Sequence, residues 1–290
     1  MSTRQKGGYV TLDCSFDRIA HAYGAQRAHP PDVSTRVGEA LAQVVGMGGH
    51  MLELGVGTGR IALPLVAAGC RVTGIDISME MLRVALEVGE QGTGNGEQGM
   101  GDRDHSSFVV RRSSFVVLRG DITRLPFVEN TFDAVLAVHV LHLVRDWRAA
   151  LAEAARVLRS GGAFVQGVDW RDPQSCAERL RSKLREAVME LLPNAKPPGA
   201  SGDVAQALAA LGGSAEPPIV AAEWTRPMSP AAILAGMSAR ADAETWALDH
   251  ALLQAAVQRV RAWASQTWDD LDAPQDVTHR FVLTVTRGEW

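Results

Sequence analysis

The run His50-Met51-Leu52-Glu53-Leu54-Gly55-Val56-Gly57-Thr58-Gly59-Arg60 decides the reading of this chain, together with Asp76 at the end of the next apolar run. An acidic residue sits inside a short strand pattern, a tight glycine turn follows, and a helix opens after the turn. Glycines let the backbone approach a ligand closely, and a helix N-terminus presents free N–H groups. A carboxylate at the position of Asp76 sits where such folds grip ribose hydroxyls. Together these features predict a nucleoside-cofactor pocket.

Working outward, the 290 residues suit one large α/β domain, or a domain with a cap. A hydrophobic content of 46% supports a packed core and excludes a disordered chain. No stretch approaches the ~18 uninterrupted apolar residues of a membrane helix. The first residues lack the apolar stretch of a signal peptide, so the expected setting is the cytoplasm. Cys14, Cys70 and Cys176 make neither a metal spacing nor a disulfide framework, and read as buried free thiols. A net charge of −4 argues against a nucleic-acid surface, which needs a basic face.

Residues 1–45 read as a helical lead-in, with apolar residues at helical spacing from Val33 to Val45. Strands are predicted at 50–54, 71–75, 113–118, 132–138 and 163–168. Helices are predicted at 60–68, 79–88 (capped by Ser78) and 145–158, the last ended by Ser160-Gly161-Gly162. Strands alternating with helices at this spacing imply a parallel sheet covered on both faces. Residues 89–107 break the rhythm. Gly-Glu-Gln-Gly and Ser-Ser-Phe-Val-Val each occur twice, at 89–92 and 96–99 and at 106–110 and 113–117. The segment reads as an expanded loop, and the second Phe-Val-Val copy as the true third strand. Beyond 170 the pattern is helical at 171–212, strand at 218–226, helical at 229–239 and 244–266, and strand again at 279–286. Six of the seven tryptophans lie at or beyond Trp170, where one or two could line a substrate cavity.

Three ligand-facing elements then fall at strand C-terminal ends, where open α/β sheets bind ligands. They are Gly55–Gly59, Asp76, and Asp121 with Ile122. A carboxylate accepts from both hydroxyls of a ribose. A second carboxylate, a backbone N–H and an apolar side chain suit an adenine ring.

On these residues the chain resembles the class I S-adenosylmethionine-dependent methyltransferases that act on small molecules. Glu53-Leu54-Gly55-Val56-Gly57-Thr58-Gly59 is similar to their glycine motif, and Gly74-Ile75-Asp76-Ile77-Ser78 with Met81-Leu82 to their acidic second-strand motif. Gly120-Asp121, Leu125-Pro126-Phe127 and Phe132-Asp133 resemble their third- and fourth-strand signatures. Glu153 with Arg156-Val157-Leu158-Arg159-Ser160-Gly161-Gly162 resembles the segment ahead of strand five, with serine where proline is usual. The likeness is specific from about 48 to 168.

The resemblance implies a Rossmann-like seven-stranded α/β sheet of order 3-2-1-4-5-7-6 with the last strand antiparallel. It implies a single domain, 1–290. Residues 1–45 would be a lid, 48–170 the cofactor core, and 171–290 cap helices plus the last two strands. S-adenosyl-L-methionine is the implied cofactor and no metal is expected. Gly55, Val56, Gly57, Thr58 and Gly59 would pass under its methionine part, with Glu53 orienting the turn or reaching the amino group. Asp76 would hold the ribose, Ile77 and Met81 would lie against adenine, and Asp121 and Ile122 would take its edge. Val138 and His139 would lie near the sulfonium. His139 and His142, read as three apart on one helical turn, are the candidate bases. Tyr23, Arg27 and Trp170 are candidates for lid or substrate contacts. The expected partner is a small-molecule acceptor, with no nucleic acid or membrane, and the expected assembly a monomer or homodimer.

Two other readings compete. A nicotinamide dehydrogenase shares the glycine turn and the ribose carboxylate, but its G-x-G-x-x-G fingerprint needs glycine where Arg60 stands. A methyltransferase fold that binds without turnover is the other.

Overall fold

The computed structural model describes residues 27–93, 109–111, 114–192, 203–240, 245 and 248–290. Tyr23, the first part of the 1–45 lead-in and most of the 89–107 loop lie outside them. The described residues form two compact units. One holds residues 27–169, 203–222 and Phe281–Trp290. The other holds residues 170–192, 223–240, 245 and 248–280.

The first unit opens with α1 (Pro31–Val45), whose buried Val33, Val37, Leu41 and Val44 recur at helical spacing. Proline at its first position costs nothing, because that N–H has no helical partner. There follow β1 (His50–Leu54), α2 (Ala62–Ala67), β2 (Arg71–Asp76) and α3 (Met79–Thr93). Ser78 caps α3, its Oγ accepting from the Met81 N–H at 3.2 Å. Next come β3 (Val109–Arg111), β4 (Phe115–Arg119), β5 (Phe132–Val138), α4 (Trp147–Val157) and β6 (Leu158–Arg171). The chain continues through α6 (Val204–Ala210), β7 (Gly213–Ala215), β8 (Ile219–Met228) and β9 (Gln275–Gly288). The strands β6, β8 and β9 each have residues in both units.

The sheet order is β3-β4-β2-β1-β5-β6-β9-β7, with β8 also paired to β9. Adjacent strands from β4 to β6 are parallel, with Leu52 opposite Thr73 on one side and Val135 on the other. Gly161 lies beside Arg287 and Gly167 beside Phe281, so numbers rise on β6 as they fall on β9: the closing strand runs antiparallel. Without β3 and the short β7, this is the order 3-2-1-4-5-7-6 that the sequence implied.

Three local expectations are corrected. The first Phe-Val-Val copy also makes a strand: Val109 and Val110 pair antiparallel with Leu118 and Val117 of the second copy. α4 stops at Val157 because Leu158 turns extended (φ −71°, ψ 142°), so β6 begins there and Ser160-Gly161-Gly162 lies within it. Gly161 takes φ +74° inside the strand, and the β5–β6 register shifts between Phe132 and Ala134 to accommodate it. Finally, α3 runs to Thr93, past its expected end at 88.

The core of this unit packs Leu52, Leu54, Ile75, Phe132, Val135, Leu151 and Phe164 at 0–1% exposure. Each contributes about 1.5–3 kcal/mol by leaving water. The second unit contains α5 (Cys176–Leu191), α7 (Pro230–Ser238) and α8 (His250–Thr267), capped by Ser175, Ser229 and Asp249. Leu180, Leu184, Leu234, Met237 and Val260 form its interior. No helix among the described residues is long and apolar enough to cross a membrane.

Candidate active site

Parallel strands bring their C-terminal ends to one edge, and the residues that follow β1, β2, β4, β5 and β6 collect there. The glycine turn leaves β1 pinned to β2: the Gly55 and Val56 N–H groups donate to the Ile75 carbonyl at 2.8 and 3.1 Å. Gly55, Gly57 and Gly59 take φ of 66°, 54° and 79°, a region that costs an ordinary L residue ~1–2 kcal/mol. A Cβ on Gly55 would stand 2.5 Å from Val140 Cγ2, so the turn slides directly beneath the segment after β5. At Gly57 the nearest atom to such a Cβ is 4.0 Å away. Among the described residues that is the open point of the turn, where a ligand can meet bare backbone. Val56 and Thr58 are buried, and a Cβ on Gly74 would lie 2.7 Å from Val56 Cγ2. The Val56 side chain therefore braces the turn against β2.

Asp76 ties the turn to the start of α3. Its Oδ2 accepts from the Gly57 N–H and its Oδ1 from the Ser78 N–H, both at 2.9 Å. These bonds from two backbone N–H groups orient the carboxylate. Just beyond, Ile77 is 68% exposed, an apolar side chain held out at the sheet edge, while Met81 and Ile122 are buried. Asp121 is exposed and its Oδ1 is engaged with the N–H and hydroxyl of Thr123, at 2.9 and 2.8 Å, in an Asx turn.

Glu53 lies beneath the turn at 3% exposure. Its Oε2 has no hydrogen-bond partner among the described residues. Burial pushes its carboxyl up to about 8, and Asp76 adds to the rise, against the opposing pull of Arg60 and the Ala62 N–H. A buried acid with an idle oxygen, next to an open glycine backbone, fits a cationic ligand group better than it fits packing.

A second cluster forms where β5 and β6 end. Val138 is buried, and His139 follows it at φ +50°, one of three non-glycine residues described with positive φ. His139 Nε2 donates to Asp169 Oδ2 at 2.8 Å. Arg60, the residue after the last turn glycine, donates through Nη2 to the same oxygen at 3.2 Å. His29 Nε2 lies 2.9 Å from Asp169 Oδ1 and 2.6 Å from Arg60 Nη1. Burial alone would raise the Asp169 carboxyl. The bonds from His139 and His29 and the charge of Arg60 outweigh it and hold the group well below the usual carboxylate range.

His142 sits in a separate 3-10 turn, Leu141–Leu143, and is exposed. The left-handed backbone at His139 precedes that turn, so the two histidines do not share one helical turn as their spacing suggested. Arg27 is half-buried at the start of the described chain. Trp170 belongs to the second unit, where the Arg280 guanidinium lies 4.6 Å from its ring centroid. Sequence patterns missed Asp169 and His29, and Arg60 registered only as a departure from a dinucleotide fingerprint. The available signal was topological: residues that follow the adjacent strands β1, β5 and β6 must be neighbours.

The strand order, the glycine turn after the first strand and the carboxylate ending the second are those of a Rossmann-like methyltransferase fold. In keeping with this, residues 52–166 match the family model of a methyltransferase domain. The phosphatidylethanolamine N-methyltransferase of Cereibacter sphaeroides is 36% identical over 125 residues, 43% of this chain and 52% of that protein. The demethylmenaquinone methyltransferase of Tropheryma whipplei (strain Twist) is 30% identical over 153 residues, 52% and 55% of the two chains. The chain thus spans about half the length of these curated relatives. Among solved structures, the [4+2]-cyclase SpnF superposes with a TM-score of 0.53 at 15% identity over 94% of each chain. The N-methyltransferase 2 of Haemonchus contortus, in complex with phosphomonomethylethanolamine and S-adenosylhomocysteine, gives 0.51 at 17% identity, over 99% of this chain and 61% of that one. At these identities the structural likenesses show the fold.

Proposed function

We propose that the chain is an S-adenosylmethionine-dependent methyltransferase acting on a small-molecule acceptor. The observation that carries this reading is the open backbone at Gly57, flanked by the Asp76 carboxylate and by the buried Glu53 with its idle oxygen. A nicotinamide dinucleotide asks for a pyrophosphate site, and a buried acid under the turn gives its phosphates no positive partner. An α-ammonium group beside Glu53 would be attracted. Both curated relatives named above are methyltransferases of small molecules, which supports the acceptor class.

When bound, S-adenosylmethionine supplies an electrophilic methyl group on sulfur. The remaining contributions come from the chain. Glu53 offers its carboxylate to the ammonium group. Asp76 offers its carboxylate to the ribose hydroxyls, and its two backbone bonds already fix its orientation. Ile77 gives an apolar face to the adenine ring above the buried Met81, and Asp121 Oδ2 with the Ile122 N–H takes the ring edge. Val138 and His139 stand at the reacting end. Alignment of nucleophile and methyl accounts for most of the acceleration, with positioning worth ~7–11 kcal/mol in favourable cases.

Isothermal calorimetry with S-adenosylmethionine, and separately with NADH, tests the reading. Saturable binding of the first and none of the second is expected, with Asp76→Ala abolishing it. Binding of NADH alone, or unchanged affinity in Asp76→Ala, would overturn the reading.

A further inference from the structure

We propose that Asp169 fixes His139 as the proton acceptor of the reaction, and that the methylated group is accordingly a hydroxyl. This rests on the methyltransferase reading of the site and adds the chemistry at its far end.

The argument begins with the tautomer. An ionised carboxylate only accepts hydrogen bonds, and Asp169 is kept ionised by the groups around it. His139 Nε2, 2.8 Å from Oδ2, must therefore carry the proton, which leaves the lone pair of the neutral ring on Nδ1. The His139 side chain is 31% exposed, so this second nitrogen is reachable, whereas Asp169 at 19%, Arg60 at 14% and His29 at 4% are set back. One group is thus presented and three hold it. Asp169 comes from the end of β6, Arg60 from the turn after β1, and His29 from the segment before α1. These are the charged and titratable groups that face His139 through its carboxylate. An imidazole held by a buried carboxylate through one nitrogen, with the other free, is the arrangement of a general base.

Backbone strain points the same way. His139 holds φ +50° where a glycine would be relaxed. Strain of this kind at a strand end persists where the surroundings fix a side chain in a required place. The Asp169 bond supplies that fixation.

The proton balance then selects the acceptor. As the acceptor oxygen forms its bond to the methyl carbon, the carbon–sulfur bond breaks and its electron pair stays on sulfur. The hydroxyl proton passes to His139 Nδ1, giving an imidazolium held against the Asp169 carboxylate, and later returns to water. A neutral amine attacks through its own lone pair before it loses any proton, so it has no need of this base. A hydroxyl, whose proton leaves as the bond forms, needs it; a phenol methylated on its ring carbon also gives up a proton, and the position of the new methyl group separates the two.

Two measurements test the proposal. Nitrogen-15 NMR of the histidine-labelled wild-type chain, with the His139 signal assigned by its loss in His139→Gln, reads the tautomer without any cofactor. An Nε2–H tautomer that is lost in Asp169→Asn is expected. An Nδ1–H tautomer in the wild type, or one insensitive to Asp169→Asn, overturns the proposal whatever the activity. The second arm follows S-adenosylhomocysteine formation on a panel of simple phenols and alcohols with their amine counterparts. Hydroxyl methylation is expected to fall ~10²–10⁴-fold in kcat for His139→Gln, with little change in KM. Turnover confined to amines, phenols methylated on ring carbon alone, no turnover of any hydroxyl, or an undiminished rate in His139→Gln overturns it. Loss of S-adenosylmethionine binding in calorimetry would instead refute the underlying methyltransferase reading, so the two failures are distinguishable.

Discussion

Replacing Glu53 by glutamine should make the protein more stable, by an amount that grows with pH. The wild-type carboxyl is 3% exposed and titrates near 8, against 4.5 for an ordinary glutamate. The folded pKa is raised, so below the unfolded value both states are protonated and nothing is lost. Between 4.5 and 8 the unfolded chain gives up a proton that the folded chain keeps, and stability falls as pH rises. Each pH unit across that window costs about 1.4 kcal/mol, so the full span of 3.5 units costs about 5 kcal/mol. Glutamine has the same shape and no titration, so Glu53→Gln removes the slope. Any constant offset from its amide contacts is the same at every pH and cancels in the comparison. Urea unfolding followed by tryptophan fluorescence at pH 5, 6, 7 and 8 reads the difference between variant and wild type. It should increase by several kcal/mol across the series and level off above pH 8. A difference that stays flat from pH 5 to pH 8 would refute the reasoning. The same carboxyl also links to ligand binding. An ammonium group docking beside it draws the proton out, and calorimetry in buffers of different ionisation enthalpy should show close to one proton released per cofactor bound at pH 7.

Alanine at the two turn glycines should separate strain from overlap. Gly57→Ala pays only the left-handed backbone, about 1–2 kcal/mol, whereas Gly55→Ala also drives a methyl into Val140, adding about 1–3 kcal/mol. Thermal denaturation should place Gly55→Ala clearly lower, and equal midpoints would contradict the geometry. Arg156 donates to the Leu125 and Phe127 carbonyls and to both oxygens of Glu153, which in turn accepts from the Leu125 N–H at 2.7 Å. Arg156→Leu should cost about 2 kcal/mol and raise hydrogen exchange at Leu125, and unchanged exchange there would count against this role. Asp121→Ala should weaken S-adenosylmethionine about 10-fold if its free oxygen takes the adenine edge, about 1.4 kcal/mol. Wild-type affinity by calorimetry would leave Asp121 a turn residue alone.

Much of the fold was legible because local signals and the sheet agreed. Short apolar runs ended in glycine or aspartate, and each such end proved to be a strand terminus at the ligand edge. The motif residues Glu153 and Arg156 were legible as a pattern but not as a cause. The structure supplies the cause: Arg156 staples the 125–127 loop to α4, with its hydrogen bond to Glu153 holding that carboxyl below its ordinary range. Errors came where a residue had two good roles. Gly161-Gly162 reads as a helix stop, yet extended Leu158 ended α4 first and left the pair inside β6. The first Phe-Val-Val copy read as loop because its polar neighbours masked a strand that only pairing with β4 reveals. His139 and His142 looked co-facial because spacing carries no information about a left-handed residue between strand and turn.

The buried carboxylate at Asp169 shows why the donor half of such a site reads from sequence more easily than the acceptor half. Donor recognition works on backbone, and backbone requirements leave contiguous marks: glycines at fixed offsets and an aspartate at a strand end. The acceptor chemistry proposed above works on side chains brought together from residues 29, 60, 139 and 169, each ordinary in its own neighbourhood. SpnF, a [4+2]-cyclase by name, shares this fold, so the fold does not by itself fix the reaction. What distinguishes one reaction from another on this scaffold must lie in groups that the scaffold leaves free to vary. His139 after β5 and Asp169 near the end of β6 are such groups, since they stand at the edge where the parallel strands end. Among the described residues, the carboxylate–imidazole pair at those two positions is therefore where specificity for the acceptor is to be sought.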